Sequence, residues 1–544
     1  MSLAQCLMAG KVSSLTSYFS LAYMLGFLPA SCILYSLMPK AAKKYFLLAA
    51  SLIFFWLISG KLVAYLLFAV LIIHYAGIWL ERIAKERDEA TALAEKTERK
   101  ALKKAYKNRQ CFVVAFAAVL LFGMLLTLKY SAFFTVNINT LLSIFHIDLQ
   151  FEIPKYLMPI GISFYTMQAM SYVFDVYRGT VKADTNIFRL ALYMSFFPQI
   201  VEGPICRYNE TAERLWNVES IKYKNLCFGL QRLLFGLMKK IVVADRLNSI
   251  VQSVFSYHDS FSGGYAAVAA VCYTVQLYMD FSGTMDAVIG TAEIFGVTMP
   301  ENFKRPFFSR TISEFWKRWH ITLGAWLKDY IFYPVSMSKP MKNLTSSARK
   351  KLGNHFGPLL AGSAALFCVW LFNGLWHGSA WNYIFFGMYH FVLILTGNII
   401  EPLVRAVNTK LHINPESKPY KAMQIFRTCV LVCIGEMFFR ATGLRAGLSM
   451  FKKIFTDFTF YVKDTDIFTR YSFDVHDVII VAAVLIIILG VSIANEKGIC
   501  VRQKLAQSKP VVRWAVLYGL IMMIIIFGAY GIGYVPVDPI YANF

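Results

Sequence analysis

Long apolar runs separated by brief polar interruptions organise this chain of 544 residues. Runs that span a bilayer, or nearly, fall at 18–37, 44–59, 61–80, 112–135, 157–176, 226–256, 264–296, 356–374, 378–400, 423–440, 477–495 and 512–534. A transmembrane helix needs roughly 17–25 residues, so the pattern predicts an all-α integral membrane protein with about ten to twelve transmembrane helices. Several runs are short or interrupted by Gly and Pro, at 154–163, 198–204 and 296–306. Irregular backbone at bilayer depth is tolerated only when buried in protein or lining a wet cavity. Re-entrant core helices and a central tunnel or funnel are therefore expected.

Composition agrees: 57% of residues are hydrophobic and 16% charged, against about 25% charged in soluble domains. The net charge of +23 comes from 55 Lys and Arg against 32 Asp and Glu, and its distribution argues against nucleic acid. The densest cluster, 81–110, holds ten basic residues between apolar runs, as expected of a cytoplasmic loop facing anionic lipid. With three runs before it, this loop puts the N-terminus outside. The first apolar run leads straight into further runs without the form of a signal peptide, so the N-terminus is expected to be retained. Ten cysteines are scattered, with only Cys429 and Cys433 at helical spacing. No Cys/His cluster has metal-binding spacing, so no metal site is expected. The polar stretches 403–420 and 452–476 are too short to fold alone. Residues 1–544 therefore read as a single polytopic domain.

Against this apolar background the polar residues stand out. His377 lies within the run Leu366 to Leu395, in Asn373-Gly374-Leu375-Trp376-His377-Gly378. Ionisable groups at bilayer depth are costly and mark function by default. Gly374 and Gly378 let the backbone pack closely or break there, and Asn373 and Trp376 add an amide and an indole N–H. His320 follows Phe315-Trp316-Lys317-Arg318-Trp319. Thr311 to Glu314 has the form of a capping box, and periodicity then predicts an amphipathic helix from about 312, with His320 on its aromatic side. Gln276 and Asp280 share a helix face inside another apolar run. Glu202 falls in a turn and His390 in an otherwise apolar helix; both read as architectural. HExxH spacing, GxSxG elbows and phosphate-binding glycine loops are missing from the sequence.

Two long strings, Pro300-Glu301-Asn302-Phe303-Lys304-Arg305-Pro306-Phe307 and Glu314-Phe315-Trp316-Lys317-Arg318-Trp319-His320-Ile321, resemble the signature of the membrane-bound O-acyltransferase family, in its bacterial alginate-O-acetylation branch. Asp280-Phe281-Ser282-Gly283, 159–165, 196–199, Gly203-Pro204 and Leu375-Trp376-His377-Gly378 with Trp381-Asn382 are similar too. The likeness runs in order from about 45 to 440, with the motif-bearing core at about 155–400.

The resemblance implies transmembrane helices ringed around re-entrant core helices, in a multi-pass protein of the bacterial plasma membrane. It maps the catalytic histidine onto His377 and a second motif histidine onto His320, with Asn373, Trp376, Asp280, Gln276 and Trp316 in support. It further implies no tightly bound cofactor, and an acyl thioester co-substrate, acetyl-CoA or an acyl carrier protein, on the cytoplasmic side. The acceptor would be a hydroxyl of an extracytoplasmic polysaccharide, or a separate extracytoplasmic transferase. Imidazole, with an ordinary pKa near ~6.5, suits a general base at neutral pH. D-alanyl transfer to teichoic acid is the alternative within this chemistry. A proton-coupled transporter or flippase is the alternative outside it, though such proteins often carry an internal repeat, which the sequence lacks.

Overall fold

The computed structural model describes residues 18–463 and 473–530. Expectations that touch residues 1–17, 464–472 and 531–544, including the outward-facing, retained N-terminus and the end of the 512–534 run, lie outside this range. Among the described residues every named element is helical, and extended segments pair only at two isolated bridges, Phe261 with Val462 and Phe303 with Trp319. The chain packs as two compact units. One comprises residues up to Leu233 with Ala287–Pro300, and the other Leu234–Asp286 with the residues from Glu301 onward.

In the first unit, α1 (Lys43–Ser59) continues through a short turn at Gly60 into α2 (Val63–Leu93), which packs on α3 (Arg99–Ile144) and α4 (Ile162–Arg178). The basic cluster at 81–110 forms the end of α2 and the start of α3, where Glu86 pairs with Arg82 at 3.1 Å and Arg109 at 3.2 Å. Beyond α4, Asp184 holds Arg189 at 2.5 Å and accepts from the Tyr208 hydroxyl. Burial opposes ionisation of Asp184, but these partners and the Asn186 N–H outweigh it and keep the carboxyl below its ordinary range.

In the second unit, a π-turn at Met238–Ala244 leads into α5 (Asp245–Ser256), followed by α6 (Gly263–Ile294), whose last turns belong to the first unit. Two short helices, α7 (Ile312–Arg318) and α8 (Ile321–Leu327), precede α9 (Lys339–His377), α10 (Trp381–Lys410) and α11 (Lys418–Arg440). Helix α9 packs on α10, α10 packs on α11, and α7 lodges against both α10 and α11. Amphipathic α12 (Leu444–Thr456) lies against the same pair, while α13 (Val475–Glu496) and α14 (Pro510–Phe527) reach the π-turn.

Seven helical stretches among the described residues are long and apolar enough to cross a membrane: 43–93, α3, α9, α10, α11, α13 and α14. The ten to twelve spans expected from hydropathy include runs that serve as interior helices. Residues 157–176 give α4, in which every side chain from Ile162 to Val173 is buried. Its buried residues include Ser163, Thr166, Gln168 and Ser171, so it is packed by protein on all sides along this stretch. The run 226–256 is interrupted by the π-turn that carries Lys239 and Lys240.

Candidate active site

His320 owes its position to a break in the helix that periodicity predicts to be continuous. Thr311 does cap α7, its side chain accepting from the Glu314 N–H at 3.1 Å, while the Glu314 carboxylate reaches back to the Arg310 N–H at 2.8 Å. The helix then stops at Arg318, and His320 takes a left-handed backbone with φ 47° before α8 begins. Few residues other than glycine hold that conformation without support. Support comes from Asn302, whose carbonyl accepts from Ile321 N–H at 3.0 Å. Its side-chain oxygen accepts from the Thr322 N–H at 3.0 Å and hydroxyl at 2.8 Å. Lys304 N–H bonds the Arg318 carbonyl at 2.9 Å, completing a short extended clasp.

The imidazole of His320 is 2% exposed. Its Nδ1 lies 3.4 Å from the same Asn302 oxygen, which can only accept. A hydrogen on Nδ1 makes that contact and leaves the lone pair on Nε2. Burial pushes the ring's pKa down to about 3, so it is neutral at working pH. Phe281 of α6 packs edge-on at 4.8 Å between ring centroids, and Trp376 at 5.5 Å.

That indole joins the two histidines. Trp376 sits 4.9 Å from the ring of His377, the last residue of α9, which is also 2% exposed. Phe439 of α11 and Phe386 of α10 enclose His377 at 5.0 and 5.8 Å. The apolar run around His377 is thus two helices, parted at Gly378–Ala380. Helix α9 itself bends at Gly353, where φ is 79°; the 24 residues after the bend extend about 36 Å at 1.5 Å per residue. The glycines flanking His377 are needed for close approach. A Cβ at Gly374 would meet the Tyr383 carbonyl oxygen at 2.5 Å, and one at Gly378 the Tyr383 ring at 2.3 Å.

Of the remaining sequence candidates, some join this centre and some are held elsewhere. Asn373, one turn before His377, is buried, and its side-chain oxygen has no hydrogen-bond partner among the described residues. Trp316 donates from Nε1 to His390 Nδ1 at 3.3 Å and touches the Phe386 ring. His390 packs edge-on to Trp316 and stacks on Trp370. Asp280 is bound by Lys240 at 2.6 Å; Lys240 also reaches Asp245 at 2.7 Å, and Lys239 reaches Asp286 at 2.7 Å. Gln276 donates to Asn248 at 3.0 Å.

Three residues that the sequence reading did not single out as site residues belong to these surroundings. Asn302 was visible only as a motif letter, since its partners lie about twenty positions away. Glu436 and Arg440, four apart on α11, were absorbed into an apolar run, although an intramembrane acid is itself a signal. Glu436 is buried with its Oε2 lacking a hydrogen-bond partner among the described residues. Among the same residues, no cluster of three or more His, Cys, Asp or Glu is arranged to hold a metal ion.

Residues 112–349 match the model of the membrane-bound O-acyltransferase family. His320 falls inside the matched stretch and His377 beyond it. A probable alginate O-acetylase of Pseudomonas aeruginosa is 31% identical over 328 residues, covering 60% of this chain and 57% of that protein. The peptidoglycan O-acetyltransferase of Helicobacter pylori is 29% identical over 374 residues, 64% of this chain and 65% of the relative. The teichoic acid D-alanyltransferase of Bacillus subtilis is 29% identical over 290 residues, 52% of this chain and 68% of the relative. The chain spans less than two thirds of the length of the alginate O-acetylases it matches.

Proposed function

We propose that this chain, whose residues 112–349 match the membrane-bound O-acyltransferase model, moves an acyl group from a cytoplasmic thioester to a hydroxyl of an extracytoplasmic polysaccharide, with His377 as general base. The observation that carries this reading is the shared indole: Trp376, the chain neighbour of His377, packs on His320 from a separate segment, so that one ring touches both histidines. Acetyl is the favoured group, since the relatives named for O-acetylation match over 60% and 64% of the chain, against 52% for the Bacillus subtilis D-alanyltransferase.

In the proposed reaction the neutral His377 imidazole takes the proton of the acceptor hydroxyl as its oxygen attacks the thioester carbonyl carbon. The C–O bond forms and the carbonyl becomes an oxyanion. Collapse of this intermediate breaks the C–S bond, and the departing thiolate takes the proton from His377. An ester and a free thiol result, and the histidine is regenerated. Positioned proton transfer of this kind contributes about 10²–10⁴-fold; orientation and oxyanion stabilisation supply the remainder. The indole N–H of Trp376 and the amide of Asn373 suit the oxyanion. His320, with its lone pair on Nε2, suits orientation of the acceptor hydroxyl.

The test is transfer of radiolabel from acetyl-CoA to crude cell-wall polysaccharide by the protein in nanodiscs. Alkali-labile label on the polysaccharide with wild type, and its loss in a folded His377→Ala variant, is the expected result. Equal labelling by both proteins rules out His377 as base. The Bacillus subtilis relative favours a second reading, D-alanyl transfer from a carrier-protein thioester to teichoic acid. Labelling from D-alanyl carrier protein but not from acetyl-CoA selects it.

A further inference from the structure

Arg440 ends α11 immediately after Phe439, whose ring packs on His377. A cation in the last turn of a helix ordinarily serves that turn's carbonyls. Here the task falls to Asn382, whose side-chain nitrogen donates to the carbonyls of Phe438, Phe439 and Ala441 at 3.2–3.4 Å. Nor does Arg440 pair with Glu436, although the two are one turn apart. The guanidinium instead lies over the face of Phe255, 5.6 Å from its centroid, and makes no ion pair or hydrogen bond among the described residues. A contact with a ring face uses none of the guanidinium's hydrogen-bond donors, which stay available to an anion. The ring of Phe439, the residue before Arg440, also meets Tyr383 at 5.0 Å between centroids, and Tyr383 is the side chain that lies against Gly378, next to His377. Basic residues gather at the other ends of these helices, Arg405 and Lys410 on α10 and Lys418 and Lys421 on α11. By the positive-inside rule, that places Arg440 at the extracytoplasmic end, on the acceptor's side.

We infer that Arg440 anchors an anionic group of the acceptor, a carboxylate or a phosphate, and thereby seats the neighbouring hydroxyl at His377. This rests on the acyltransferase reading and adds a class of substrate to it. A planar guanidinium suits either anion through paired hydrogen bonds. Hydrogen bonds to a charged group correspond to roughly ten- to a hundredfold in affinity.

The experiment uses the full chain in nanodiscs with acetyl-CoA and three acceptors: polyuronate oligosaccharides, the same oligosaccharides with carboxyls reduced to alcohols, and poly(glycerol phosphate). Wild type is expected to favour the polyuronate or the phosphate polymer over the reduced acceptor by about ten- to a hundredfold in kcat/KM. Whichever polymer is favoured identifies the anion. Arg440→Gln is expected to bring the ratio near one by raising KM, and Arg440→Lys to retain part of it. A wild type indifferent to acceptor charge, or an Arg440→Gln variant with undiminished preference, overturns the inference. If wild type releases no thiol and labels none of the three, the acyltransferase reading falls first and the inference with it.

Discussion

Two polar clusters lie inside the second unit, and α6 contributes adjacent residues to each. Asp280 enters a chain of charges: Lys240 lies between Asp280 and Asp245, and Lys239 meets Asp286. Arg246 follows, pairing with Asp477 of α13 and donating to the Phe527 carbonyl of α14 at 2.7 Å. Phe281 enters the other cluster, where His320, Trp376, His377, Phe386 and Phe439 meet ring against ring. In the first cluster each buried charge is answered by an opposite one, which fixes helices but leaves little room for a reaction that changes charge. In the second, titratable rings are surrounded by apolar rings, a setting that favours neutral imidazole and lets a proton's arrival or departure be felt strongly. Under the proposed reaction the contrast is one of architecture against chemistry, although both clusters hold buried groups.

The largest effect is expected at His377. Replacement by Ala should lower thiol release by about 10²–10⁴-fold with little change in thermal stability; a comparable drop in stability would make it an architectural residue like those of the ion cluster. Lys240→Met should behave in the opposite way. It leaves Asp280 and Asp245 without their shared cation, and removing one partner of a buried pair typically costs about 3–5 kcal/mol. A lowered Tm in detergent with normal turnover per folded molecule is expected. Normal stability with lost turnover would move Asp280 into the reaction centre.

Asn302→Ala falls between the two. Thr322 loses its bonds to the side-chain oxygen, at about 1–3 kcal/mol for buried groups left unsatisfied, and His320 loses the acceptor facing its Nδ1, while the main-chain bond from Ile321 N–H remains. Stability and turnover should fall together, and an Asn302→Ala protein with full activity would show that His320 needs no acceptor at Nδ1. The smallest effect is a pH slope. His320 titrates at about 3 in the fold, against ~6.5 unfolded, so between these values the unfolded chain binds more protons. Its contribution to stability is therefore complete above about pH 6.5 and is lost as pH falls toward 3. His320→Gln should flatten the fall of Tm over that window; an unchanged slope would mean that the ring is not buried neutral.

How much of this was legible in the sequence differs between the clusters. The setting of His377 could be read directly, because Gly374, Trp376 and Gly378 are its neighbours in the chain and hydropathy exposes a lone imidazole. The cap at Thr311 was legible for the same local reason. The break at His320 was not: periodicity from 312 to 330 continues through it, and the clasp that interrupts the helix comes from Asn302. The ion cluster was half visible. Asp280 stood out in an apolar run, but its partner Lys240 is forty residues away, inside the run 226–256. Hydropathy alone also could not tell a lipid-facing helix from a core helix such as α4, whose side chains from Ile162 to Val173 are all buried. The anonymity of Glu436 and Arg440 has another cause, because their significance depends on what Asn382 and Phe255 already occupy or cover.

The most direct measurement is the initial rate of free-thiol release from acetyl-CoA with crude cell-wall polysaccharide, comparing wild type, His377→Ala and Lys240→Met in nanodiscs, each normalised to folded protein. Loss of release in His377→Ala alone is the expected result. Full release by His377→Ala, or equal loss in both variants, would contradict the assignment of chemistry to the ring-bound histidines and architecture to the ion cluster.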